Sequence, residues 1–185
     1  MRIIGITGTL GAGKGTIVNY LQKKYGFVHF SVRDFLTEEI KKRNLPVNRD
    51  TMTNVANELR IKYSPAYIVE QLYEKAKQSG KDSIIESIRN IGEVNALRQL
   101  EGFRLLAVDA PPELRYKRIQ ERKSATDAIS YETFLENEKR EMTSTDPTQQ
   151  NLSACMAVAD FRLMNDGTYE SLYEQIETAL KTIYA

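Results

Sequence analysis

Arg2-Ile3-Ile4-Gly5-Ile6-Thr7-Gly8-Thr9-Leu10-Gly11-Ala12-Gly13-Lys14-Gly15-Thr16 opens this chain of 185 residues with an apolar run that empties into a glycine-rich turn. The pattern is that of a strand feeding a phosphate-binding loop, with a helix starting just behind it. The chemistry needs these residue types. Glycines let the backbone wrap a polyphosphate so that several N–H groups point inward, in conformations that a side chain makes costly. The following helix turns its positive N-terminal end toward the anion, and Lys14 can reach the β- and γ-phosphates. That helix is amphipathic, with Ile17, Val18, Leu21 and Tyr25 on one face and Gly26 as its stop. Gly8, Gly11, Ala12, Gly13, Lys14, Gly15 and Thr16 are therefore the candidate cradle; the plainer alternative is a glycine turn with a surface lysine. The position after Lys14, usually a hydroxyl residue that ligates Mg²⁺, is Gly15, and Thr16 follows it.

Length and composition narrow the class. At 185 residues the chain is most simply one domain with a substantial core. Hydrophobic residues make up 41% and charged residues 28%, the balance of a globular protein rather than a disordered one. A formal net charge of +1, from 26 basic and 25 acidic residues, makes no global case for nucleic acid or an acidic membrane surface. Cys155 is the single cysteine, so no intrachain disulfide forms, and a buried thiol is the expectation. No signal pattern precedes the first strand, and no apolar run approaches ~20 residues, so a cytoplasmic protein is expected.

Strand-like runs alternate with amphipathic helical stretches, which predicts an α/β domain with a parallel sheet. The expected strands are Arg2–Thr7, Phe27–Val32, Asp82–Ser87, Phe103–Asp109 and Phe161–Asn165. Three helices are expected between the second and third: Arg33 to Arg43, one from near Asp50, and one beginning at Pro65, a favourable first helical position. Three exceed what a single crossover needs. After the fourth strand, Pro111-Pro112-Glu113 opens a helix to about Lys123, and a polar stretch from Ser124 to Gln150 includes a helix over Tyr131–Met142. The last helix runs from Tyr169 to Tyr184.

Four groups could carry chemistry. Asp34, in Ser31-Val32-Arg33-Asp34 at the carboxyl end of the second strand, is readable as a helix N-cap and, compatibly with that, as a group that positions metal-bound water or an acceptor. Glu86 and Arg89 end the third strand; an acid there can orient metal-bound water, and an arginine can grip a phosphate with two prongs. Asp109 closes the fourth strand and is readable as a cap of the next helix. On that helix Arg115, Arg118 and Arg122 share a face with Lys123 beside them, either solvated and paired with Glu113 and Glu121 or a lid over a transferring phosphoryl group. Lys139 and Arg140 are weaker candidates for the same task, and His29 is expected to be structural.

Gly-Ala-Gly-Lys-Gly-Thr, Ser31-Val-Arg-Asp34-Phe-Leu, Glu86-Ser-Ile-Arg89 and Pro112-Glu-Leu-Arg-Tyr-Lys-Arg118-Ile-Gln-Glu-Arg122 stand in the order seen in adenylate-kinase-like nucleotide kinases. Over essentially its whole length the chain resembles a group of small, adenylate-kinase-related P-loop proteins found mainly in archaea, with dephospho-CoA kinase as a further relative. That group has a similar Asp-Gly-Ile-Arg at Glu86-Ser87-Ile88-Arg89, and a similar Ala159-Asp160…Asn165-Asp-Gly167 where such kinases cradle adenine. Three departures from adenylate kinase itself weigh against AMP as acceptor while leaving ATP as donor. Thr37 stands where an arginine grips the acceptor phosphate, Glu86 replaces an Asp with no Phe-Pro before Arg89, and the lid has no zinc-binding cysteines.

The resemblance implies a three-layer α/β/α kinase with a five-stranded parallel sheet, a helical acceptor-binding insertion over about 34–79 and a lid over about 118–147. Lys14, Arg118, Arg122 and Asp34 would be catalytic. The phosphate loop, Asn165 and Gly167 would hold ATP; Asp34 and Arg89 would hold a nucleotide-like acceptor. Mg²⁺ would be held by Thr16, Asp34 and Glu86, partly through water. No nucleic acid or membrane partner is expected, and the chain would work as a monomer or homodimer. Three alternatives remain open on the sequence: a dephospho-CoA kinase-like enzyme, a slow ATPase that couples nucleotide occupancy to partner binding, and a nucleotide sensor without turnover.

Overall fold

Every residue of the first strand, β1 (Ile3–Gly8), is buried, as only a strand covered on both faces can be. It pairs in parallel with β3 (Ser83–Glu86) on one side and β4 (Phe103–Asp109) on the other, Gly5 lying opposite Ile85 and Leu105. β2 (Val28–Ser31) adds beyond β3, and β5 (Phe161–Met164) beyond β4. The order β2-β3-β1-β4-β5, parallel throughout, is the five-stranded three-layer arrangement expected from the sequence. The computed structural model of the protein describes residues 1–122 and 129–184; the expectations for Lys123 and the start of the polar stretch lie outside them.

The pleat sorts the apolar residues into two cores. Ile4, Ile6, Ile84 and Leu106 face α1 (Lys14–Tyr25) and α9 (Tyr169–Ile183). Ile3, Ile85 and Leu105 face the other layer, built by α2 (Val32–Lys42), α3 (Arg49–Lys62) and α4 (Tyr67–Ser79) with the shorter α5 (Ile91–Arg98) and α8 (Leu152–Ala157). α6 (Pro112–Arg122) and α7 (Tyr131–Met142) are joined by a ring cluster of Tyr116, Tyr131 and Phe134. No helix among the described residues is long and apolar enough to cross a membrane.

Three local expectations are corrected. Ser31, not Asp34, caps α2: its Oγ accepts the Asp34 N–H at 3.2 Å, which ends β2 early and puts Asp34 in the first helical turn. Helix α4 starts at Tyr67 rather than Pro65, because residues 64–67 form a turn in which the Tyr67 N–H donates to the Ser64 carbonyl at 3.1 Å. Helices α5 and α8 were not anticipated. The first is set by a capping box in which Asn90 and Glu93 satisfy each other's backbone N–H groups.

Candidate active site

The turn after β1 is shaped by contacts that leave no room for side chains. Gly11 and Gly13 have φ of 81° and 101°. A β-carbon on the first would stand 2.5 Å from the Arg115 carbonyl, and on the second 2.2 Å from Asn165 Nδ2. Gly15, by contrast, has open space around its α-carbon. The loop is tied from outside at two points. Thr9 Oγ1 donates to Asp109 Oδ1 at 2.5 Å, and Asn165 Nδ2 donates to the Ala12 carbonyl at 2.8 Å. Asp109 thus anchors the loop as well as accepting the Ala110 N–H at 2.9 Å. Lys14 folds over the turn and donates to the carbonyls of Gly8 (2.8 Å) and Thr9 (2.9 Å).

A cleft of about 1140 Å³ opens at the carboxyl edge of the sheet, where open α/β sheets bind ligands. Of the residues singled out in the sequence, Gly11, Gly13, Lys14, Gly15 and Thr16 line it from the loop. Asp34, Glu86 and Arg89 line it from the ends of β2 and β3, and Arg118, Arg122, Asn165 and Gly167 from the opposite wall. Gly8 and Ala12 stay behind the lining and contribute carbonyls. Burial and the Arg89 guanidinium lower the Lys14 ammonium to about 8, with Glu86 and Glu141 opposing them. Burial alone would raise the Glu86 carboxyl, but His29, Lys14 and the Ser87 hydroxyl hold it down to about 2. His29 Nε2 lies 3.7 Å from Glu86 Oε2, and Ser87 Oγ donates to Oε1 at 2.7 Å. Ser87 itself takes φ 72°, a conformation that favours glycine.

The arginine face of α6 divides. Arg115 is buried, donates to the carbonyls of Ala110 (2.7 Å) and Leu10 (3.3 Å), and forms a two-pronged pair with Glu138 of α7. It belongs to the framework, and neither Glu113 nor Glu121 is its partner. Arg118 reaches Asn165 Oδ1 at 3.4 Å, while its Nη1 is buried with no hydrogen-bond partner among the described residues. Lys139 and Arg140 fall outside the cleft, lining a separate cavity at the N-terminal end of α3.

On the other side of the cleft the structure brings in residues that the sequence did not single out. Arg89 Nη1 meets Glu141 Oε2 at 2.5 Å and Gln150 Oε1 at 3.2 Å. Arg49 gives Nε and Nη2 to Glu141 Oε1 at 2.9 and 2.6 Å. Behind them Glu93, fully buried, pairs with Arg60 at 2.7 Å and accepts the N–H groups of Arg89 (3.0 Å) and Asn90 (3.1 Å). The spacing of Arg49, Arg89 and Glu141 in the chain carries no local signal; only the fold assembles them. Cys155 is buried, and burial pushes its thiol up to about 12.

No group of three or more His, Cys, Asp or Glu that could hold a metal by itself occurs among the described residues. Thr16, Asp34 and an ionised Glu86 around one cleft fit the mode of Mg²⁺, which takes one or two protein groups and leaves other positions to water and phosphate oxygens.

Fold and loop together define a P-loop domain built on a five-stranded parallel sheet. Residues 4–144 match the family model described as an AAA domain. The chain belongs to that family and to the UPF0200 proteins. It is 31% identical to one from Methanococcus maripaludis over 99% of its own length and 98% of the relative's, and 30% identical to one from Methanocaldococcus jannaschii over 99% and 91%. Solved structures share the fold at low identity. TT1252 from Thermus thermophilus has a TM-score of 0.61 at 20% identity, covering 98% of this chain and 97% of that one. A shikimate kinase from Aquifex aeolicus has 0.60 at 14%, covering 98% and 97%, and a gluconokinase from Sinorhizobium meliloti has 0.59 at 14%, covering 98% and 93%.

Proposed function

We propose that the protein is an ATP-dependent phosphotransferase of the nucleoside monophosphate kinase type, acting in the cytoplasm. It would move the γ-phosphoryl group of ATP to a nucleotide-like acceptor. The observation that carries this is Arg118, which lines the same cleft as Lys14 and the Gly11–Gly13 turn and whose buried Nη1 has no hydrogen-bond partner among the described residues. A phosphate oxygen would give that N–H the charge-assisted bond that the protein does not. The match to adenylate-kinase-like motifs, and structural neighbours that are themselves described as kinases, support the same reading.

Transfer needs no protein nucleophile. An acceptor oxygen attacks the γ-phosphorus, the bridging bond to the β-phosphate breaks, and ADP leaves with that bridging oxygen. Lys14 and the loop N–H groups, Asn165 and Gly167 hold the donor. Arg118 and Arg122, from a lid over about 118–147, neutralise charge on the group in flight. Mg²⁺, when bound, supplies further charge neutralisation; Thr16, with waters oriented by Asp34 and Glu86, would hold it. Asp34 and Arg89 place the acceptor beneath the insertion over about 34–79.

A second reading is a slow ATPase, in which nucleotide occupancy governs binding to another protein. It is favoured by one observation, that Arg89 already has a carboxylate, Glu141, in its grip. Purified protein incubated with ATP, Mg²⁺ and a panel of nucleotides and dephospho-CoA separates the two. Acceptor-dependent ADP release supports a kinase; release that ignores every acceptor supports an ATPase.

A further inference from the structure

Arg49, Glu141 and Arg89 come from three separate segments: the first residue of α3, the last turn of α7 and the loop after β3. Their side chains are mostly buried yet all line the cleft. Two guanidiniums converge on one carboxylate, Arg49 on Oε1 and Arg89 on Oε2, so the cluster keeps one positive charge in excess. Such a pair matches a two-oxygen anion, carboxylate or phosphate alike. Burial of Glu141 is offset by the two arginines, which hold its carboxyl below the usual range. Arg89 cannot turn away freely, since Glu93 fixes its backbone and Gln150 its guanidinium. Glu141 has no such second tether among the described residues, where all three hydrogen bonds of its carboxylate come from these two arginines.

We propose that Arg49 and Arg89 form a two-arginine grip for the acceptor's oxyanion, a phosphomonoester or a carboxylate, and that Glu141 is an internal carboxylate seated in that grip until the acceptor displaces it. Arg49 then supplies from α3 the second cation that Thr37 does not provide; Thr37 Oγ1 is spent on the Arg33 carbonyl within α2. Because Glu141 sits on α7, displacement would loosen the end of that helix and link acceptor capture to the lid side of the cleft. This assignment rests on the kinase reading for the identity of its ligand as an acceptor.

The test uses inorganic phosphate, followed by ³¹P NMR with ADP saturating the loop, and acetate as competitor to stand for a carboxylate. Glu141→Gln keeps the size and removes the charge. It should bind phosphate about tenfold more tightly than the wild type, and adding Arg49→Ala should abolish that gain. Preferential displacement by acetate would assign the grip to carboxylates, and its failure to a phosphomonoester. In the wild type, phosphate should raise hydrogen exchange at residues 139–142, a readout that holds even if the variant folds poorly. Unchanged phosphate affinity in a folded Glu141→Gln, equal affinity in the double variant, or no change in exchange would each overturn the proposal. Failure of ADP to bind would instead strike the kinase reading, since the phosphate response is read separately.

Discussion

A β-carbon on Gly13 would stand 2.2 Å from the amide nitrogen of Asn165, the same nitrogen that donates to the Ala12 carbonyl. Asn165 also accepts from Arg118, so one buried amide couples the shape of the phosphate loop to the arginine above it. Gly13→Ala must therefore displace Asn165 and adopt a φ of 101° with a side chain. Thermal unfolding should register a loss of about 1–3 kcal/mol, and nucleotide affinity should fall with it. An alanine variant that binds ATP like the wild type would mean the loop is not held by this contact.

Two arginines one turn apart on α6 should fail in different ways. Arg115→Ala removes the partner of Glu138 and two loop carbonyl contacts, and should cost about 3 kcal/mol of stability. Arg118→Ala should leave the unfolding midpoint nearly unchanged but lower kcat on the order of 10²–10³-fold, more than it weakens ATP binding. Steady-state kinetics and calorimetry on both variants decide it; a stability loss alone at Arg118 would make it a framework residue too.

Lys14 gives the cleft a pH dependence whose sign is determined. Its ammonium is lowered from 10.5 to about 8, and bound phosphates would raise it again. The complex then holds more protons than the free protein, so nucleotide binding should take up protons near pH 8–9 and weaken as pH rises through that range. Titration calorimetry in two buffers of different ionisation enthalpy measures the uptake directly. Proton release, or affinity that climbs with pH, contradicts the placement of Lys14.

Much of this was legible in the sequence because it is local. The strand-turn-helix of residues 2–25, the alternation of elements, and the acid-plus-arginine end of β3 are contiguous patterns. The resemblance also placed a glycine at the position of Ser87, and the φ of 72° there gives the physical reason. What could not be read is the pairing of distant charges. Arg115 looked like one more lid arginine because nothing near it in sequence says that Glu138 will cover it. Arg49 and Glu141 lie 92 residues apart and carry no motif. Helices α5 and α8, of eight and six residues, are too short for periodicity to declare and owe their ends to Asn90 and Asn151 caps.

Ser87 offers a smaller check on that backbone. Ser87→Gly should be close to neutral for stability, since relief of the positive φ offsets the extra freedom of the unfolded chain. Ser87→Val, β-branched at the same φ, should cost about 1–3 kcal/mol. Equal unfolding midpoints for the two variants would refute the strained conformation.

The central claim, that the loop around Lys14 binds ATP and positions its γ-phosphoryl group for transfer, is tested most directly with γ-³²P-labelled ATP and Mg²⁺. Wild type and Lys14→Ala are compared across the acceptor panel, with unfolding midpoints measured on the same samples. The account predicts label passing to one acceptor in the wild type and none in a variant that remains folded. Turnover within about tenfold of wild type in a stably folded Lys14→Ala would contradict it.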